Sequence, residues 1–268
     1  MPPDPTLHAV ASSSDTSSAV LRAFGLTDKG RIRPTNEDCF AVREDLGLCV
    51  IADGMGGHNA GEVASRLAVD AVVECCSTMP DSWPFGYDES LSADGNLLRS
   101  AIHRANVSIL ETAITSDRYT GMGTTVVAAR VADGRLAVAH AGDSRLYLLT
   151  GRHFSQVTQD DSWMATVLAH DPGVDPNVLM HHPMRNALTN VVGAGTRTDV
   201  HVVERPVAAG DLLLLTTDGV HGVMDDAQME RLMVAADDLQ AIATNLIAAA
   251  LARGSRDNCT VIVGRVVA

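Results

Sequence analysis

Two apolar runs in this chain end in the same way, and the repetition constrains its fold more than any other feature. Leu48-Cys49-Val50-Ile51-Ala52 leads into Asp53-Gly54-Met55-Gly56-Gly57-His58-Asn59-Ala60-Gly61, and Leu212-Leu213-Leu214-Leu215-Thr216-Thr217 leads into Asp218-Gly219. Short apolar runs bounded by turn residues read as buried strands. Glycine permits close backbone approach, so each run is expected to stop at a tight turn with its aspartate held rigidly at the strand end. A single Asp-Gly is an ordinary solvated turn. Two buried strands that each deliver one define a constellation.

The rest of the chain arranges itself around these strands. Short strands are expected over 23–27, 39–43 and 47–52, with a loop from Asp28 to Asp38 that contains Gly30, Arg31, Arg33, Pro34 and the adjacent acids Glu37 and Asp38. Apolar residues at helical spacing predict one helix from Val63 to Cys76 and a second from Leu98 to Ala113, separated by a Pro-, Asp- and Gly-bearing loop over 79–95. His103 in the second helix reads as a half-buried helical residue. Strands over 124–131, 135–141, 145–150 and 153–157, punctuated by Asp133-Gly134, Gly142-Asp143 and Gly151, read as one antiparallel meander. Residues 158–198 are irregular apart from a helical piece over 163–170, and the His181-His182 pair within them reads as exposed. Two further strands follow, then helices capped by Asp225-Asp226 and Asp237-Asp238, then a last strand over 261–267. With no internal repeat and no linker between halves, this is one α+β domain whose helical pairs cover stacked sheets.

Composition limits the function classes. The formal charge of −13 argues against nucleic acid or an anionic membrane as partner. Five cysteines without a C-x-x-C spacing read as buried thiols in a reducing compartment. Residues 1–20, rich in Ser, Thr and Pro, carry neither a basic leader nor an apolar core and read as a disordered tail. A cytoplasmic protein is expected.

The acids at strand-to-turn junctions are Glu37, Asp38, Asp53, Asp143, Asp218 and Asp257. A cluster of hard oxygen donors without histidine or cysteine suits Mg²⁺ or Mn²⁺. Without cations, so many carboxylates in one place would cost several kcal/mol in repulsion and desolvation.

The segments TDKGRIRPTNEDCF, VIADGMGGHNAGEVAS, GMGTTVV, AHAGDSRLYLL, LLLLTTDGV and SRDNCTVIV occur in this order from Phe24 to the C-terminus. In order and spacing they resemble the metal-dependent protein phosphatases of the protein phosphatase 2C type, most closely the bacterial branch. The resemblance implies a four-layer αββα sandwich, with two antiparallel sheets flanked by helix pairs and a binuclear Mn²⁺/Mg²⁺ site between them. Residues 21–268 would be the catalytic domain. It implies that Asp53 bridges the two ions, that the Gly54 carbonyl binds one of them, and that Asp218 and Asp257 complete the other. Glu37 and Asp38 would hold waters on the ions, Arg33 would clamp the phosphate, and Asp143 together with Asp218 would bind a weaker third ion. The implied reaction is in-line attack by a hydroxide bridging the two ions on a phosphoserine or phosphothreonine monoester, without a phosphoenzyme. Phosphoproteins made by a Ser/Thr kinase would be the partners of a monomeric enzyme.

Two positions depart from the family pattern. Met55 stands where eukaryotic members carry the histidine that protonates the leaving alkoxide, which leaves a water on a metal, or His58, as the acid. Asp161 stands where relatives often have histidine. The segment 162–198 corresponds to the variable flap that influences substrate choice. A dinucleotide-binding reading of Gly54-Met55-Gly56 fails because a G-x-G-x-x-G pattern would need glycine at Asn59, and Gly193-Ala194-Gly195 fails likewise at Thr198. The other alternative, a non-catalytic phosphoprotein-binding relative, would be expected to lack a metal carboxylate, yet Asp53, Asp218 and Asp257 are all present.

Overall fold

Strands whose neighbours cover both faces must be apolar at nearly every position. That is why the runs 48–52 and 212–216 do not alternate with polar residues. The structure, a computed structural model, describes residues 20–57, 60–78, 82–171 and 173–268. All of the expected tail except Val20 therefore lies outside the described residues, as does His58.

One sheet has the order β1-β11-β10-β7-β8, comprising Val20–Asp28, Cys259–Val267, Leu212–Thr216, Arg145–Thr150 and His153–Gln156. The other has the order β2-β3-β5-β6-β9, comprising Asp38–Arg43, Leu48–Met55, Val126–Ala132, Arg135–Ala141 and His201–Pro206, with the short β4, Gly123–Thr124, paired to β3. Every pairing is antiparallel. No parallel crossover is present among the described residues, which removes the dinucleotide-binding reading.

Successive side chains of a strand point to opposite faces, so residue parity distributes the core. Cys49 and Ile51 of β3, Leu213 and Leu215 of β10, and Ile262 of β11 pack together between the sheets. Leu48, Val50 and Ala52 instead face α1 (Ala60–Ser77) and α2 (Ala93–Ala113). On the opposite side Leu212, Leu214, Val261 and Val263 pack against α6 (Asp226–Met233) and α7 (Leu239–Ala252). The layers are therefore helix, sheet, sheet, helix, as the resemblance implied. Asp225 caps α6 with a full capping box through Gln228, and Asp238 caps α7.

The structure differs from the sequence reading in four places. The four strands read as one meander belong to two sheets: β5 and β6 lie in one, β7 and β8 in the other, and the chain crosses over at Gly142-Asp143. Period-2 patterning reports that a residue sits in a strand but not which neighbour the strand has. The strand ending at Ala52 instead runs to Met55, because Gly54 and Met55 pair with Thr124 and Gly123 of β4. The second helix begins at Ala93, inside the expected loop, because Ser92 caps it by accepting from the Gly95 amide. Two short helices, α4 (Pro176–Met180) and α5 (Asp218–His221), are too brief to show a helical period; α3 (Trp163–His170) lies where it was expected.

Candidate metal centre

Parity along β3 places the Asp53 side chain on the same face as Cys49 and Ile51, in the layer between the sheets at its open end. Asp38 is the cross-strand partner of Asp53. Its side chain therefore enters the same layer, where directly opposed residues share a face. The Asp53 backbone is pinned by Thr125, whose amide donates to Asp53 O at 2.9 Å and whose Oγ1 accepts from Asp53 N at 3.1 Å.

The other sheet supplies Asp218, the first residue of α5, directly after β10. The crossover supplies Asp143, whose preceding Gly142 has φ +101°, where a side chain would be strained and would press on Thr125. Asp257 lies just before β11. Its neighbour Asn258 ties down the loop between β1 and β2: Oδ1 accepts from the Glu37 amide at 2.8 Å, while Nδ2 donates to the Lys29 and Thr35 carbonyls at 2.8 and 3.0 Å. Residues more than 200 positions apart in sequence are thereby brought to one place.

A pocket of about 220 Å³ results, lined by Arg33, Glu37, Asp53, Gly54, Met55, Gly56, Thr125, Asp143, Asn186, Leu188, Asp218, Asp257 and Asn258. Seven of the eight residues expected at the site line it. Asp38 sits behind the wall, its Oδ2 accepting from Thr217 Oγ1 at 2.9 Å and Thr260 Oγ1 at 2.6 Å.

The electrostatics show what the pocket favours. Burial raises Asp38 and Asp143 to about 7 and Asp218 to about 6, with the neighbouring carboxylates adding to the effect. Asp53 is pushed well above the ordinary carboxylate range, first by desolvation and then by Asp38, Asp218, Asp143 and Asp257. Glu37 is also raised, chiefly by burial, with Arg33 opposing. Asp38 Oδ1 and Asp218 Oδ1 are buried with no hydrogen-bond partner among the described residues. Orphaned acceptors of this kind carry a desolvation penalty that a cation removes.

The residues therefore fit hard divalent cations. No three His, Cys, Asp or Glu side chains among the described residues form a ready-made cage around one ion. Mg²⁺-type ions do not require one: they keep several waters and take one or two carboxylates each. The candidate donors are all oxygens, namely Asp53, Asp143, Asp218, Asp257 and the Gly54 carbonyl.

Arg33 stands at the rim, half exposed, with one guanidinium nitrogen 2.6 Å from Asp257 Oδ2. Arg145 is committed elsewhere, gripping Asp160 through two nitrogens and donating to Tyr147 Oη. Thr125, Asn258, Asn186 and Leu188 also line the pocket but had no assigned role in the sequence reading. The first two lie within the quoted motifs GMGTTVV and SRDNCTVIV, whereas the flap pair carries no pattern that marks it.

A family model described as "Protein phosphatase 2C" matches residues 33–252. The serine/threonine phosphatase stp of Listeria monocytogenes is 34% identical over 242 residues, covering 88% of this chain and 92% of that one. The crystal structure of the Mycobacterium tuberculosis serine/threonine phosphatase PstP/Ppp superposes with a TM-score of 0.81 at 32% identity, covering 93% of this chain and all of that one. The catalytic domain of PstP in complex with 2 manganese ions superposes at 0.79, also with 32% identity and the same coverage. Joined to the sandwich fold and the acidic pocket at the open end of its sheets, these matches place the chain in the protein phosphatase 2C family.

Proposed function

We infer that the protein is a metal-dependent serine/threonine phosphatase that hydrolyses phosphoserine and phosphothreonine monoesters of phosphoproteins at this pocket, within a catalytic domain spanning 21–268. The observation that carries the reading is the convergence of Asp53, Asp143, Asp218 and Asp257 on one pocket, with a buried oxygen of Asp218 left without a partner. When bound, Mn²⁺ or Mg²⁺ ions neutralise these carboxylates and the phosphoryl charge and activate water for attack. In this reading Asp53, the Gly54 carbonyl, Asp218 and Asp257 hold two ions, in number like the manganese of the PstP structure. Asp143 with Asp218 takes a weaker third. Glu37 and Asp38 orient the surrounding shell.

The chain's own groups bind and orient the substrate. Arg33 exchanges its Asp257 partner for the phosphate, which its planar fork suits. Met55 lines the pocket but has no proton to give, and no histidine lines the pocket among the described residues. The proposed setting is a cytoplasmic monomer acting on products of a Ser/Thr kinase. No helix among the described residues is long and apolar enough to cross a membrane.

The test is hydrolysis of an aryl phosphate and a phosphopeptide with added Mn²⁺, then after exhaustive dialysis against EDTA. Activity is expected to vanish with the chelator and return with the ion; full activity after dialysis contradicts the reading. Arg33→Ala is expected to raise KM for phosphopeptide while measurable kcat remains. A lost charge-assisted contact is worth about 1.5–3 kcal/mol, or roughly ten- to a hundredfold. An unchanged KM would move the clamp to another base, such as the exposed Arg185. Asp143→Ala is expected to lower turnover while both core ions stay bound. Metal analysis showing loss of both would rule out the separate third site.

A further inference from the structure

One carboxylate that the proposed chemistry does not use ties together three parts of the chain. Asp161 Oδ2 accepts from the Gly142 amide at 2.9 Å and from Asn190 Nδ2 at 2.7 Å. Its Oδ1 accepts from His201 Nε2, on β9, at 3.0 Å. Its backbone adds two more bonds: the Asp161 amide donates to Gly142 O at 3.0 Å, and the Thr189 amide donates to Asp161 O at 2.9 Å. The side chain is only 14% exposed.

The three partners are not equivalent. Gly142 immediately precedes Asp143 and makes the crossover between the sheets. Thr189 and Asn190 lie at the far end of the segment 162–198, whose near end begins beside Asp161. The two ends are further joined by the Ser162–Leu188 bridge and by the Trp163 amide donating to Ala187 O at 2.8 Å. The residues just inside that closure, Asn186 and Leu188, line the pocket. His201 ties the assembly to an edge strand, with its ring centroid 5.1 Å from that of buried His140.

We propose that Asp161 is a positioning residue, whose carboxylate locks the Gly142-Asp143 turn to both roots of the flap. The placement of Asp143 and the placement of Asn186 and Leu188 are then set by one group. A carboxylate with three donors holds its neighbours more firmly than backbone bonds alone, and removing it leaves the buried Gly142 amide unmatched. The consequence for substrate choice rests on the phosphatase reading; the mechanical coupling does not.

Amide exchange on the metal-free protein tests the coupling, and kinetics on the Mn²⁺-loaded protein test its consequence. Asp161→Ala is expected to speed exchange by about tenfold in peptides covering 140–145 and 186–192, while β10 and α7 stay as protected as before. Asp161→Asn is expected to restore protection. Its amide oxygen still accepts from Gly142 and Asn190, and its nitrogen donates to a His201 that changes tautomer. With phosphopeptide, Asp161→Ala should lose about tenfold more kcat/KM than with a small aryl phosphate, which touches less of the flap, and Asp161→Asn should recover most of that loss. Unchanged exchange at 140–145 or at 186–192 in Asp161→Ala overturns the coupling, as does an Asp161→Asn protein no better protected than the alanine variant. Equal losses on both substrates overturn the flap role. Should Asp161→Ala fail to fold, Asn190→Ala removes the flap arm, along with the Asn190 bonds to the Asp199 backbone, and unchanged exchange at 186–192 then overturns the proposal. A wild-type protein without hydrolysis of either substrate would refute the phosphatase reading and leave the exchange result to decide the coupling.

Discussion

Asp53→Ala is expected to reduce turnover by about 10⁴-fold or more and to remove tight divalent-ion binding with it, on the scale of deleting a central catalytic group. Asp53 lines the pocket, lies on the inner face of β3 and is within the electrostatic reach of Asp38, Asp143, Asp218 and Asp257. Steady-state kinetics and Mn²⁺ titration calorimetry on the variant check both halves. Retained stoichiometry of two ions with low turnover would move the shared ligand elsewhere, Asp218 being next in line. The metal-free protein should respond in the opposite direction. Asp53→Asn removes one charge from a crowd of acids at nearly constant volume, so its melting temperature without metal is expected to exceed that of the metal-free wild type. A functional cluster of like charges is held together at the expense of stability.

Gly54→Ala is the second large effect, and it arises from backbone packing rather than charge. A Cβ on Gly54 would overlap the carbonyl oxygen of Gly61 and press against that of Glu37, and the Gly54 amide donates to the same Glu37 carbonyl at 3.1 Å. Neither obstacle is the movable end of a side chain, so β3, the start of α1 and the loop before β2 must separate. Overpacking of this kind costs about 1–3 kcal/mol. In a chain of this size each kcal/mol lowers Tm by about 2–4 °C. A shift of the Gly54 carbonyl and the Glu37 segment by even ~1 Å is enough to lower activity by about a hundredfold. Thermal melts and kinetics on the variant check this. A Gly54→Ala protein with wild-type Tm and activity would show that the approach of the three segments is not required.

Much of the site was legible before the fold was known. Asp53 and Asp218 stand out because two buried apolar runs each lead into Asp-Gly, and the all-oxygen donor set follows from the acids at the turns having no histidine or cysteine partner among them. Arg33 and Asp257 were named from their motifs, yet their 2.6 Å ion pair joins loops 224 residues apart and could not be read along the chain. Asn186 and Leu188 lie in an irregular segment, where no period marks which residue turns inward. Asp161 registered only as a departure from a pattern. Its three partners, Gly142, Asn190 and His201, come from three separate stretches of chain.

The division has a physical cause. Hydrophobic period and turn chemistry are local, so the amino-acid order alone determined most strands and the longer helices, the acids at the strand ends and the kind of ion that such acids suit. Which strands become neighbours is a matter of long-range pairing. Gly142 could have closed a hairpin but instead carries the chain from one sheet to the other, and only the packed sandwich decides that. Once the sheets face each other, residue parity sends Asp38 and Asp53 into the layer between them, and α5 brings Asp218 to the same end. The burial that lifts their proton affinities, and leaves an oxygen of Asp218 without a partner, belongs to that tertiary arrangement and to no segment by itself.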